Sequence, residues 1–179
     1  MPLHTISVSV SMPWLSHDAW SQTYVGTHKL LYRLLPASTG QLEDDDSSLC
    51  QLAFIGANHL MEIAVAKIIL TFDPTFSLTN AKYHSDLTQT LPRLTGKTPN
   101  LEVEPFRSTE KLRRSRNKAI HASSAVVSVE MARSALFSAT NGSRALYDLV
   151  GQPFPYERFL TKRPLPSEIP YFDISHADA

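Results

Sequence analysis

Hydrophobic and polar residues alternate strictly over Thr5, Ile6, Ser7, Val8, Ser9, Val10, Ser11 and Met12. A period of two with β-branched residues predicts a short strand or extended arm, which must pair or pack to be stable. Pro13 closes that arm, and the period then changes. Trp20, Tyr24, Leu31 and Leu35 form an apolar stripe at helical spacing, with His28 on the same stripe. The pattern predicts a helix capped by Ser16 or Asp18 and stopped by Pro36, with His28 as a partly buried spacer. A polar loop over 37–48 carries Glu43, Asp44, Asp45 and Asp46, and Asp46 or Ser47 offers the next cap. Residues 48–71 are apolar almost all round: Phe54, Ile55, Leu60, Ile63, Val65, Ile68, Ile69 and Leu70. Such a helix belongs at the centre of a bundle or at an interface. Its polar exceptions are Asn58, His59, Glu62 and Lys67. Asn58 and Glu62 are four apart and share a face. A carboxylate in these surroundings requires a cation or a hydrogen-bond partner.

Pro74 breaks the chain, and a shorter helix is expected from about Thr79 to Leu91. Pro92–Pro105, with Gly96, Pro99 and Asn100, reads as a loop. Ser108 or Thr109 then begins a last long helix, with Glu110 at its positive end, running to about Ala139. Asn141-Gly142 is its stop signal, and Arg144 to Val150 supplies one further short helix. After Gly151 come Pro153, Pro155, Pro164, Pro166 and Pro170, interleaved with Phe154, Tyr156, Phe159, Tyr171 and Phe172. This composition predicts an extended or disordered tail whose aromatics dock on a partner. The expected architecture is all-α: an antiparallel four-helix bundle over 16–150, an N-terminal arm over 1–15 and a tail over 151–179.

Composition narrows this picture without redirecting it. The 179 residues suffice for one domain with a real core, and the formal net charge is zero with a pI of about 7.1. Bulk charge therefore argues neither for nor against nucleic acid. Cys50 is the sole cysteine, which excludes an internal disulfide and a cysteine-based metal cluster. Between Leu49 and Leu52 it reads as a core thiol. His4, His17, His28, His59, His84 and His176 lack metal-ligand spacing, so neither a metal nor another cofactor is expected. No apolar stretch looks long enough to span a bilayer, and no basic N-terminal region precedes a long apolar run. The expectation is a reducing, cytoplasmic setting without membrane contact.

The distribution of charge carries the functional signal. Arg107, Lys111, Arg113, Arg114, Arg116 and Lys118 form a basic run opposed locally only by Glu110. Within it lies Arg116-Asn117-Lys118-Ala119-Ile120-His121. Histidine moves a proton near neutral pH and arginine steadies phosphate charge, so the set suits phosphoryl chemistry. Arginine, a polar residue, three others and histidine resembles the hallmark of the HEPN domain superfamily (higher eukaryotes and prokaryotes nucleotide-binding). Leu60-Met61-Glu62-Ile63-Ala64-Val65-Ala66-Lys67 resembles that family's apolar second helix with its acidic residue. The resemblance spans roughly 15–150 in layout, with the motif expected near the start of the last long helix. It implies a homodimeric, metal-independent endoribonuclease of the toxin–antitoxin or phage-defence kind, with a cognate antitoxin or other partner protein. Some members of the family have lost activity and serve as scaffolds. A tyrosine two residues after the histidine, which some family toxins use for silencing by nucleotidylation, is here Ser123.

The chemistry implied is coherent. RNA carries a 2′-OH beside its scissile phosphate. Neutral His121 would take that proton, and the same ring or its copy in a dimer would protonate the leaving 5′-oxygen. Arg116 would stabilise the phosphorane-like transition state. Asn117, one turn before His121, would fix the ring or touch phosphate. Lys111, Arg113, Arg114 and Lys118 would hold the RNA backbone without reading sequence. Glu62 and Ser124 would support the site, with Ser124 and Ser128 continuing the face of Asn117 and His121. On a straight helix, however, Arg116 and His121 stand about 140° apart. Three arrangements answer this: a helix distorted or beginning near 116–117, an Arg116 that reaches across a dimer, or Arg114 as the working arginine. Blander roles remain for the same residues. In these, His121 is a surface histidine, Arg113, Arg114 and Arg116 are solvated or pair with the 43–46 run, and Glu62 neutralises a bundle cation. The competing functions are a catalytically silent HEPN-like module that binds a protein or nucleotide, and a helical protein that binds nucleic acid without cutting it.

Overall fold

The computed structural model describes residues 19–34, 44–121 and 127–173; at 44, 45, 80 and 117–121 it describes the backbone path. The alternating arm at 5–12 lies outside these residues. Every regular element among the described residues is helical. Helix α1 is Ala19–Lys29 and runs on into a π-helical turn, Leu30–Leu34. Helix α2 is Asp44–Phe72. A 3₁₀ turn, Leu78–Asn80, leads to α3, which spans 83–95 as Tyr83–Ser85, a π turn at Asp86–Thr90, and Leu91–Thr95. Helix α4 is Phe106–His121, α5 is Val129–Leu149 and the short α6 is Glu157–Lys162.

The nearly all-apolar pattern of α2 explains its place. It is the hub, packing most extensively on α5, then on α1, with α4 and α3 on a third side. Ala53, Ala57, Leu60, Ala64 and Ile69 on α2 have no exposed surface. One expectation about this helix needs correcting. Asp46–Phe72 is long enough to cross a membrane, and an 18-residue stretch within it is apolar enough, with a mean hydropathy of 1.5. That stretch is nevertheless 67% buried within the protein. The acidic run also differs from the expected loop, because residues 44–46 form the first turn of α2. Negative charge there meets the positive end of the helix dipole.

Trp20, Tyr24 and Leu31 on α1 are fully buried, as their stripe predicted. The Trp20 indole N–H donates to Ser143 Oγ at 3.2 Å and ties α1 to α5. His28 lies half-buried beside Tyr32 with its ring centroid 4.7 Å away, and burial lowers its pKa. Cys50 is wholly buried, and burial raises its thiol pKa.

The single long helix expected from Ser108 to Ala139 is two helices, and its stop signal is misplaced. Helix α4 ends at His121, and Ser128 caps α5 by accepting the Met131 N–H at 3.2 Å. Val127 and Ser128, just ahead of α5, stand outside any helix, and serine favours a cap over a helix interior. Asn141-Gly142 does not end α5, which absorbs the separate helix expected at 144–150. Gly142 sits tightly against side chains of α4 and α2: a Cβ there would lie 2.5 Å from Thr109 Cγ2 and 2.9 Å from Met61 Sδ. Packing, rather than turn geometry, accounts for this glycine.

The tail departs most from expectation. Over 151–173 it contains α6 and folds back on the chain's own core. Tyr156 stacks on Trp20 at 4.6 Å, with Phe154 edge-on to the same ring at 5.2 Å. Phe172 is 1% exposed and packs against Phe54. Its backbone N–H donates to Ser138 Oγ at 2.7 Å. Arg144 grips Glu157 through two hydrogen bonds of 2.7 Å. The prolines limit the freedom of the unfolded segment while the rings contribute large buried area, so the tail docks.

Candidate functional site

Helix α2 raises Glu62 at the edge of its buried face, where α4 passes. His59, one turn earlier, directs Nδ1 to Glu62 Oε2 at 2.8 Å. An ionised carboxylate only accepts, so Nδ1 is the donor and carries the proton. Arg116 Nη1 donates to the other oxygen, Oε1. The one carboxylate therefore bridges a histidine and an arginine, one oxygen to each. The pair is neither sealed nor free, at 27% and 28% side-chain exposure for Glu62 and Arg116, while His59 is 43% exposed. Buried Arg116 Nε has no partner among the described residues.

A second charged cluster lies beside it. Glu110 is buried, with a side chain only 7% exposed. Its oxygens accept from Arg113 Nε at 2.9 Å and Nη2 at 2.7 Å, and from Arg114 Nε at 3.0 Å. His84 of α3 sets Nδ1 at 3.4 Å from the same carboxylate. Burial pushes the Glu110 pKa up, but the arginine hydrogen bonds outweigh it, and the net shift is downward. Tyr83 stands in the cleft with Glu62 and Arg113, and burial raises its pKa. Asn58, Glu62, Tyr83, Thr109 and Arg113 line one narrow cleft. A neighbouring cavity of about 240 Å³ runs from Glu62 and Tyr83 to Leu78 and Asp86.

The basic run is thus largely balanced, in part by its own Glu110 and in part by carboxylates brought from distant segments. Lys111 pairs with Asp173 of the tail at 3.0 Å, and Arg107 with Glu104 at 2.8 Å. The described partners of Arg113, Arg114 and Arg116 are Glu110 and Glu62. Arg114 stays 67% exposed despite its bond. Lys111, Arg113 and Arg114, expected to grip an RNA backbone, each already hold an acidic side chain. For Asn117, Lys118 and His121 the described residues provide the helix path alone, and Ser124 lies outside them. Where the resemblance implies the motif near the start of the last long helix, it occupies the last turns of α4. The helix begins at Phe106, which removes a start near 116–117 from the three arrangements. Cations at a helix C-terminus are favoured by its dipole.

The sequence reading passed over His59, His84 and Tyr83 as site residues. The His59–Glu62 spacing of three was a legible signal, whereas the meeting of α3 with α4 had none. Among the described residues no group of histidine, cysteine and carboxylate side chains is arranged to hold a metal ion. No protein-family model, curated protein or solved structure matches this chain.

Proposed function

We propose that the chain is a HEPN-type endoribonuclease whose site is built on Arg116 and His121 of α4, with Asn117 beside them. The observation that carries the reading is the Glu62–Arg116 pair. The acidic residue of the apolar second helix holds the arginine of the motif, so the two segments that resemble the family meet in space. Helices α1, α4 and α5 each pack on α2, which supports the bundle this reading requires. Glu62 limits the freedom of the Arg116 guanidinium, which lowers the cost of aligning it on a phosphate. His121, five residues on, stands about 7.5 Å further along the axis. A second copy of the chain, bringing its own α4, would place a histidine and an arginine on opposite sides of one phosphodiester. RNA is the substrate in this reading, and a toxin or phage-defence role with a cognate antitoxin is its biological setting.

The test is incubation of the purified protein, in EDTA, with a mixed RNA pool beside a His121→Ala preparation. Cleavage by the unaltered chain that disappears in the variant, leaving 2′,3′-cyclic phosphate ends, supports the reading. Intact RNA in both sinks it. A second reading, a catalytically silent module that binds a protein or nucleotide, is favoured by one observation: Lys111, Arg113, Arg114 and Arg116 all already hold carboxylates. It predicts unit-by-unit binding without cleavage and a shallow salt dependence.

A further inference from the structure

Cleavage of RNA through the 2′-OH needs two proton transfers, one from the nucleophile and one to the leaving oxygen. The α4 motif offers one histidine per chain. His59 of α2 shares the Glu62 carboxylate with Arg116, and we propose that it is the general base of this site. The inference rests on the ribonuclease reading and deepens it. With Nδ1–H committed to Glu62 at 2.8 Å, the ring is held as the tautomer whose Nε2 carries the lone pair. The carboxylate then stabilises the imidazolium that forms, the role an acid plays behind a catalytic histidine elsewhere. Because Glu62 uses its other oxygen for Arg116, the base and the guanidinium that would bind the phosphate are set by one side chain. The His59 ring is 43% exposed, so a substrate hydroxyl can reach it.

The step balances as follows. His59 Nε2 takes the 2′-OH proton as the 2′-oxygen bonds to phosphorus. The bond from phosphorus to the 5′-oxygen breaks, and that oxygen takes a proton from the His121 imidazolium. The products are a 2′,3′-cyclic phosphate and a 5′-OH end. His59 has gained one proton and His121 has lost one, and exchange with water restores both. Glu62 on its own helix faces the His59 ring, and Arg116 from α4 shares that carboxylate.

The experiment compares the unaltered chain with His59→Gln and Glu62→Gln, measuring cleavage rate against pH and the His59 ring tautomer by nitrogen-15 NMR. Expected are a fall of about 10²–10⁴-fold in His59→Gln and loss of the acidic limb of its rate profile. The ring should be a single Nδ1–H tautomer in the unaltered chain and a mixture in Glu62→Gln. Full activity in His59→Gln overturns the inference and leaves the ribonuclease reading standing. A reduced rate with an unchanged profile overturns it too, because that is the mark of a structural role. If the unaltered chain cuts no RNA, both fall together. Far-ultraviolet circular dichroism checks that each variant folds, and His59→Ala serves as the second variant should His59→Gln fail that check.

Discussion

Replacing Gly142 by alanine puts a methyl group into the contact of α2, α4 and α5. The new Cβ would lie 2.5 Å from Thr109 Cγ2 and 2.9 Å from Met61 Sδ, against about 3.5–4.0 Å for a comfortable carbon contact. The Met61 thioether is flexible and can move aside. Thr109 cannot do so readily, being β-branched, 2% exposed and tied by its hydroxyl to the Phe106 carbonyl at 2.9 Å. Overpacking of this kind costs about 1–3 kcal/mol, while alanine gains about 1 kcal/mol over glycine in a helix interior. The clash wins, and a net loss of up to about 2 kcal/mol is expected. For a chain of this size the melting temperature should fall by up to about 8 °C. Thermal denaturation followed by circular dichroism reads it. Thr109→Ser removes the obstructing methyl and keeps the hydroxyl, so it should cost about 1 kcal/mol alone and relieve the clash in the double variant. A favourable coupling of about 1–2 kcal/mol is expected from the cycle. A Gly142→Ala protein that melts higher, or two substitutions whose effects simply add, would refute the argument that this glycine is there for close approach.

Other outcomes follow from the same contacts. Glu110→Gln should destabilise the fold by roughly 2–4 kcal/mol at neutral pH, since it strips a buried carboxylate from two arginines; chemical denaturation measures this. The Glu110 pKa is lowered in the folded state, so its contribution is present above the unfolded value and is lost as pH falls through the folded one. Acid titration should accordingly erase the difference between Glu110→Gln and the unaltered chain, and a gap that widens toward low pH would contradict the assignment. Phe172→Ala should cost about 3–5 kcal/mol and open 151–173 to proteolysis; a protected tail would show that its docking does not depend on this ring. Cys50 should resist a thiol reagent until the protein is denatured, because it is wholly buried and burial raises its pKa.

The sequence by itself determined the helical class and the rank of α2. An apolar pattern around almost every side of 48–71 leaves little solvent face, so that helix had to be central. The Trp20, Tyr24 and Leu31 stripe and the buried Cys50 were legible for the same local reason: periodicity reports which face is hidden. Periodicity does not report what two distant segments do when they meet. Asn141-Gly142 has the form of a helix stop, yet the nearness of Thr109 and Met61 makes Gly142 a packing residue within α5. Ser128 has helical spacing from Asn117 and His121, yet it caps a new helix. A tail with five prolines reads as extended, but docking Tyr156 and Phe172 against Trp20 and Phe54 offsets the entropy lost on ordering it.

The candidate site divides along the same line. The motif at 116–121 and the carboxylate of Glu62 were visible as residue types. That Glu62 takes Arg116 with one oxygen and His59 with the other was decided only where α2 crosses α4. In sequence only Glu110 opposes the basic run. Folding buries Glu110 against Arg113 and Arg114 and brings in Asp173 and Glu62, since charges brought out of water must be neutralised by whatever the fold places beside them.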